Sequence, residues 1–469
     1  MMLKNALSLL LCFVPLASVD SAETAKLNII FILADDLGCM DIGAFNPKTF
    51  YETPHINSLA NRGMKFNQGY AACCVCSPTR GSIMTGKYPP RLGITDFIPG
   101  GRSGKLLSAP NVGQLALQEV TIAESLRDAD YATFFAGKWH LGGDEFYPGA
   151  QGFPKKLVNG TGTKGNVQFW YPESELPVPD HKDDPKTTDR IVNEAVNFID
   201  EHKHKPFFAY LPFLAVHTPI GARADLVAKY EKKAESAPPD AWGQEGANKV
   251  RLVQNHAKYA AMLEQLDEGI GLVLTALEKN GLTEKTIIIF MSDNGGLSTS
   301  EGTPTSNLPL RGGKGWPYEG GVREPMIVVA PGVTKPGTTC ETPVISTDFY
   351  PTLLQLAGQT LKPEQHLDGV SFLPLLKGES VPRGKPLYWH YPHYSNQGGP
   401  PHGAIRDGDW KLIEWYEDNS LELYNIPEDV GEKNNLAATH PGKTKAMREK
   451  LIAWRKEVNA LMPTLKPIK

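Results

Sequence analysis

Residues 26–34 are apolar at almost every position, and the run stops at two adjacent aspartates, Asp35 and Asp36. A strand with one solvated face alternates apolar and polar side chains. Unbroken apolarity instead predicts a strand covered on both faces, as in a parallel sheet. Similar runs recur at residues 206–213 and 286–292. Helical patterns lie between them: Thr121 and Glu124 form a capping box that opens one helix, and residues 253–279 form a long amphipathic stretch stopped by Gly281. Alternating strands and helices predict an α/β fold, a large domain with a mainly parallel central sheet flanked by helices. In such folds ligands sit beyond the carboxyl ends of the strands, where Asp35 and Asp36 would stand.

The pattern changes near residue 375. Residues 404–424 read as two strands joined by a polar turn at Glu417, Asp418 and Asn419, with a turn signal before them at Asp407 and Gly408. A helix over about 443–461 closes the chain. The expected organisation is an export signal at 1–22, a catalytic domain at 23–375 and a small C-terminal antiparallel-sheet subdomain at 376–469. Residues 231–242 mix both charge signs with two prolines and read as a solvated insertion.

The first four residues carry a positive charge and lead into a short apolar stretch, with cleavage expected after Ser21 or Ala22. That stretch is too short for a stable membrane span, so the chain is predicted to be exported, periplasmic or secreted. A formal net charge of −4 with interspersed signs argues against a nucleic-acid partner. Five cysteines lie beyond the signal, Cys39, Cys73, Cys74, Cys76 and Cys340. An odd count in an exported chain singles out one special thiol. If that is Cys76, the others form up to two disulfides or stay as free buried thiols. The spacing of Cys73, Cys74 and Cys76 does not suit a tetrahedral zinc site.

Around Cys76 the sequence places Ser77 as a helix cap and Pro78 in the first turn, so residue 76 is expected just before a helix N-terminus. Such an end favours oxyanions, and Arg80 adds a guanidinium fork one turn further on. Asp293 and Asn294 follow the run at 286–292 as Asp35 and Asp36 follow the first. Either pair alone reads as a turn or helix cap. Together they offer three carboxylates and an amide oxygen, a set suited to a hard cation such as Ca²⁺. Lys138 and His140, two apart in an extended segment, would face one site. His217 follows the run at 206–213, and Lys314 lies in a glycine-rich stretch from Leu310 to Pro325.

Cys76, Pro78 and Arg80, continued by Ile83 to Gly86, resemble the signature of type I, formylglycine-dependent sulfatases, which are arylsulfatase-like members of the alkaline phosphatase superfamily. Gly137 to Gly142 resembles the second signature of that family, and the segments around His217 and Lys314 look like further family motifs. The resemblance spans about residues 27–436. It departs at Cys74, where a small residue or proline is usual, and at Asp130, where glycine is usual. It implies an alkaline-phosphatase-like large domain and a Cys76 converted by a formylglycine-generating enzyme to 3-oxoalanine. It also implies one Ca²⁺ held by Asp35, Asp36, residue 76, Asp293 and Asn294.

By the same resemblance Arg80, Lys138 and Lys314 would neutralise the sulfuryl oxygens, with Asp293 as a base. His217, with Lys314, would protonate the departing alcohol, and His140 would assist sulfate release. Dense rings at residues 388–394 and the segment at 404–411 look like carbohydrate sulfatases acting on galactose or N-acetylgalactosamine sulfate, with His390, His393 and Arg406 as substrate contacts; packing between the two domains is the other reading of these rings. Two alternatives stand beside a sulfated carbohydrate substrate: a phosphonate monoester or phosphodiester hydrolase of the same superfamily, and a non-catalytic glycan-binding protein with unmodified Cys76.

Overall fold

The computed structural model describes residues 26–161, 167–170 and 186–466; the expected export signal lies outside the described residues. The apolar runs become strands Asn28–Ala34, Phe207–Pro212 and Thr286–Ser292, neighbours in one large sheet and parallel to one another. The sheet runs from Thr338–Cys340 through Met64–Tyr70, Arg323–Val329, Thr286–Ser292, Asn28–Ala34, Phe207–Pro212, Ala132–Lys138 and Lys155–Thr161 to Val167–Trp170. Only Arg323–Val329 and Val167–Trp170 run against the others. The mainly parallel sheet is as expected.

Both faces of the first strand are buried, which accounts for its unbroken apolarity. Ile30, Ile32 and Ala34 pack on one side with residues of helices Lys186–His202 and Ala257–Lys279. Ile29, Phe31 and Leu33 pack on the other side with residues of Cys76–Thr85, Ile122–Arg127 and Phe349–Leu356. Among the described residues no helix is long and apolar enough to cross a membrane.

One glycine is required by the sheet itself. Gly137 has φ of 135°, and a Cβ built there would stand 1.9 Å from the carbonyl oxygen of Pro212 on the neighbouring strand. Gly137→Ala is therefore expected to destabilise the fold by more than about 1 kcal/mol, read as a lowered urea midpoint. An unchanged midpoint would contradict the close strand approach.

The C-terminal part forms a separate four-stranded antiparallel sheet, Leu387–Tyr391, His402–Asp407, Trp410–Trp415 and Leu421–Asn425, in sequence order. Asp407 and Gly408 were expected only to precede a hairpin. They instead form the turn of one, with Gly408 at φ of 59°, so residues 404–424 hold three strands rather than two. Helix Pro441–Glu457 covers this sheet, and its Trp454 stacks on Tyr388 with ring centroids 4.7 Å apart. The sheet joins the large domain through a shared apolar cluster that includes Tyr70, Val75, Trp389, Leu412 and Leu451.

Candidate active site

Three strand ends meet at one point because the backbone pairing of the parallel sheet continues past the strands. Asp35 N donates to Ala215 O, Val216 N donates to Asp35 O, and Asp293 N donates to Ala34 O. Asp36 turns into the left-handed region at φ of 62°, and its N–H donates to Asp293 Oδ1 at 3.2 Å. Asp35, Asp36, His217, Asp293 and Asn294 are thereby brought together from three separate stretches of chain.

The helix carrying Cys76 spans Cys76–Thr85, every residue of which is buried. It starts two residues earlier than expected. Val75 is the N-cap, and Ser77 sits inside the first turn, where its Oγ accepts from Ile98 N at 3.1 Å. The shift puts Cys76 in the first turn itself, still at the positive end of the helix dipole. Its Sγ lies 4.0 Å from Asp36 Oδ1.

Arg80 is 1% exposed and fully engaged. Its Nε and one terminal nitrogen donate to Asp293 Oδ2 at 2.9 and 2.7 Å, and the other donates to Lys138 O at 2.7 Å. Arg80 therefore holds Asp293 and the end of strand Ala132–Lys138 in place. Lys138 Nζ donates to Asp35 Oδ2 at 2.6 Å, and Lys314 Nζ reaches Asp36 at 2.7 Å. His217 Nδ1 donates to Thr218 O at 2.5 Å, which leaves Nε2 facing Asp36 Oδ2 at 3.6 Å.

His140 does not follow simple strand alternation. It adopts φ of 57°, and its Nε2 donates to Ile98 O at 2.6 Å, so Nδ1 is left buried without a partner. Even so, Ile98, whose carbonyl holds His140, gives its own N–H to Ser77 Oγ, so His140 is tied to the start of the Cys76 helix.

Burial dominates the electrostatics. It pushes the Cys76 thiol up, with the lysines unable to offset it, so the unmodified side chain stays protonated near neutral pH. Burial together with the neighbouring Asp35 raises Asp293 to about 7, against Arg80. Burial opposes the charge of Asp35 too, yet Lys138, His217, Arg80 and Lys314 hold it well below the usual carboxylate range. Lys138 and Lys314 are raised despite burial, by Asp35 and Asp36 respectively. Burial lowers both histidines, helped by Lys138 at His140 and by Lys314 at His217, so both rings favour the neutral form.

The donor set fits a hard divalent cation. Asp35 Oδ1 and Asn294 Oδ1 are buried with no hydrogen-bond partner. Asn294 Nδ2 donates to Asp36 Oδ1 at 2.8 Å, which fixes the direction of its free amide oxygen. Ligand atoms of Asp35, Asp36, Cys76 and His217 all lie within 4.8 Å of one another. Buried carboxylate and amide oxygens without donors are what an oxygen-liganded ion such as Ca²⁺ satisfies.

The other expected contacts stand apart from this cluster. His390 is 3% exposed, with Nδ1 paired to Tyr416 Oη and Nε2 to Leu461 O. His393 is buried, with Nε2 paired to Thr95 Oγ1 at 2.8 Å. Arg406 is buried, donates to Tyr70 Oη and Gln68 Oε1, and stands 4.0 Å from Glu319. His393 and Arg406 take part in packing the C-terminal part onto the large domain, whereas His390 is held within the C-terminal part. Density of rings in the sequence does not separate such packing from a sugar platform. The segment that lies against the Lys314 loop is instead Ser395 to Gly399, which no local motif marks: a Cβ on Gly315 would stand 2.4 Å from Ser395 Oγ and 2.7 Å from Gln397 Oε1. The five described cysteines are all free and buried.

Comparison with known proteins agrees with this geometry. The family model described as Sulfatase matches residues 27–359, and the model described as N-sulphoglucosamine sulphohydrolase, C-terminal, matches residues 313–457. A sulfatase of Formosa agariphila is 34% identical, over 95% of this chain and 92% of that protein. Human arylsulfatase A is 30% identical, over 89% of this chain and 84% of its own length. The solved structure of Ps i-CgsB in complex with k-i-k-neocarrahexaose superposes with a TM-score of 0.76 at 29% identity, covering 92% of this chain and 93% of that one.

Proposed function

Because the chain belongs to the sulfatase family, whose members hydrolyse sulfate esters, we propose that its substrate is a sulfated carbohydrate and that its nucleophile is formylglycine made from Cys76. The observation that carries this reading is the position of Cys76. It sits at a buried helix start, beside Asp36, within a ring of three carboxylates and three basic side chains. The buried thiol is held protonated and is a poor nucleophile as it stands. Similarity to a structure solved with neocarrahexaose supports a carbohydrate, and galactose or N-acetylgalactosamine sulfate is the proposed class. Maturation by a formylglycine-generating enzyme and export through residues 1–22 belong to the same proposal.

Residue 76 as hydrated formylglycine would supply the nucleophile, and a Ca²⁺ held by Asp35, Asp36, Asp293 and Asn294 would supply positive charge for the sulfuryl oxygens. The chain's own residues set the electrostatics for both. Asp35, Asp36 and Asp293 formally cancel Arg80, Lys138 and Lys314, so a divalent cation leaves the site net positive and attractive to a sulfate monoester. Lys138 and Lys314 then lie where they can neutralise charge on the non-bridging oxygens. Asp293, with Arg80 fixing Oδ2, is the carboxylate placed to accept the proton of the nucleophile at Oδ1. His217, oriented by its bond to Thr218 O, would protonate the leaving alcohol from Nε2 as the imidazolium, the form that the Asp36 carboxylate 3.6 Å away favours against burial. His140 keeps Nδ1 free to take the proton that must leave residue 76 as sulfate departs.

The test is sulfate release, measured by ion chromatography, from galactose and N-acetylgalactosamine sulfates. The protein is coexpressed with a formylglycine-generating enzyme, and conversion is checked as the mass loss that turns the CH₂SH of Cys76 into an aldehyde. Release from one panel member is expected. Faster hydrolysis of matched phosphate or phosphonate esters would overturn the substrate class. Sugar binding by fully converted protein without release of sulfate or phosphate would overturn the enzymatic mechanism.

A further inference from the structure

Two loops close over the Lys314 side of the site and are strapped together. Thr299 Oγ1 and Trp316 Nε1 each donate to Gln397 O at 3.0 Å, Asn248 Nδ2 donates to the same oxygen at 2.9 Å, and Ser300 Oγ donates to Asn396 O at 3.2 Å. Gln397, 2% exposed, is thus fixed through its backbone. Its side chain then fixes another: Gln397 Nε2 donates to Glu301 Oε1 at 2.9 Å. Because Gln397 Oε1 also lies against Gly315, the residue next to Lys314, the Glu301 carboxylate is tied through Gln397 to the loop that carries Lys314. Its negative charge is felt by Lys314.

What the straps leave open is one acceptor. Glu301 Oε2 is buried and has no hydrogen-bond partner, and Asn396 Oδ1 on the facing loop is in the same condition. An unpaired buried carboxylate oxygen is costly, and such a group persists where a donor arrives from outside the protein. The sulfuryl group brings only acceptors, so the donor must come from the alcohol portion of the substrate. A sugar provides it as a hydroxyl close to the sulfated carbon.

We propose that Glu301 is a specificity-determining residue, accepting a hydrogen bond at Oε2 from a hydroxyl of the sulfated sugar, with Gln397 as the positioning residue that aims it. The inference rests on the carbohydrate-sulfatase reading above. It explains selectivity rather than bond cleavage: a substrate without that hydroxyl leaves the carboxylate unpaired.

The experiment compares wild type, Glu301→Gln and Glu301→Ala on the panel sugar that the wild type desulfates fastest and on 4-nitrophenyl sulfate, which has no hydroxyl beside its ester. The ratio of kcat/KM for sugar over aryl sulfate is expected to fall about 10- to 100-fold in both variants, the loss of one hydrogen bond to a charged group. Glu301→Gln keeps the shape of the side chain and guards against misfolding. Calorimetric titration of the same sugar into Cys76→Ala protein, with and without Glu301→Gln, gives a readout independent of turnover. The expected result is a weakened Kd in the double variant.

Equal losses on both esters would overturn the proposal, since Glu301 would then act only through the charge on Lys314. An unchanged ratio with unchanged Kd would also overturn it. If the wild type hydrolyses the aryl sulfate but no sugar sulfate, the carbohydrate reading itself fails and this inference with it.

Discussion

Cys76→Ala is expected to lower sulfate release by on the order of 10⁴-fold or more while leaving the unfolding midpoint near that of the wild type. The two halves of this result have separate physical grounds. The thiol contributes little to the fold: it is buried, and its hydrogen bond to Asp36 Oδ1 is 4.0 Å long, a weak contact for sulfur. Removing one sulfur atom from such a place costs about 1 kcal/mol, a typical single-substitution effect. The Asp293, Arg80 and Lys138 contacts do not pass through it, and they persist. The chemistry, in contrast, has no substitute: Ser77 Oγ in the same turn accepts from Ile98 N, and Asp35, Asp36 and Asp293 are held by Lys138, Lys314 and Arg80.

Cys76→Ser separates nucleophilic attack from release. A serine hydroxyl can take the sulfuryl group once but lacks the second hydroxyl that expels it, so a stoichiometric mass gain on that peptide without turnover is expected. Sulfate release near the wild-type rate by Cys76→Ala would end the formylglycine proposal.

The parts of the fold legible in the sequence are those where burial writes directly onto residue type. Strand Asn28–Ala34 is covered on both faces and therefore apolar throughout, and the capping box at Thr121 and Glu124 is present with both hydrogen bonds. The cluster of Asp35, Asp36, Cys76, Lys138, His217, Asp293 and Lys314 was legible because the chemistry fixes residue types that recur as motifs, and the parallel sheet then gathers their strand ends. Substrate contacts carry no such signature. His390, His393 and Arg406 were singled out by ring and charge content, yet their polar atoms are used in packing, within the C-terminal part at His390 and across to the large domain at His393 and Arg406. Glu301 gave no local signal, because its interest lies in an oxygen left unpaired by Gln397, a residue 96 positions away.

Lys411→Met is expected to destabilise the protein by about 3–5 kcal/mol, the cost of removing one partner from a buried ion pair. Lys411 is fully buried between two acids, with Nζ 2.9 Å from Glu319 and 3.0 Å from Glu432. This trio joins the C-terminal sheet to the short helix Glu319–Val322, whose glycines pack against Gly295 beside Asp293 and Asn294. The pH dependence tests the assignment. Burial opposes ionisation of Glu319, but Lys411, Arg406 and Arg323 hold it down to about 2, whereas burial lifts Glu432 to about 7 even with Lys411 beside it.

In the wild type, the stability contributed by Glu319 is therefore present above its unfolded value of 4.5 and is lost as pH falls toward 2. The contribution of Glu432 runs the other way, present below about 4.5 and lost as pH rises through 7. Without Lys411 both carboxyls shift upward, so the variant should be weakest near pH 8 and should recover part of its deficit near pH 5, where Glu432 takes up its proton. Urea midpoints for wild type and variant across pH 5–8 measure this directly. Combining Lys411→Met with Glu432→Gln removes the carboxylate left without a cation, while Glu319 keeps Arg406 and Arg323, and should restore part of the stability and flatten the pH dependence of the difference from wild type. A Lys411→Met deficit that is constant from pH 5 to pH 8 would show that lost packing, not the two carboxylates, sets the cost.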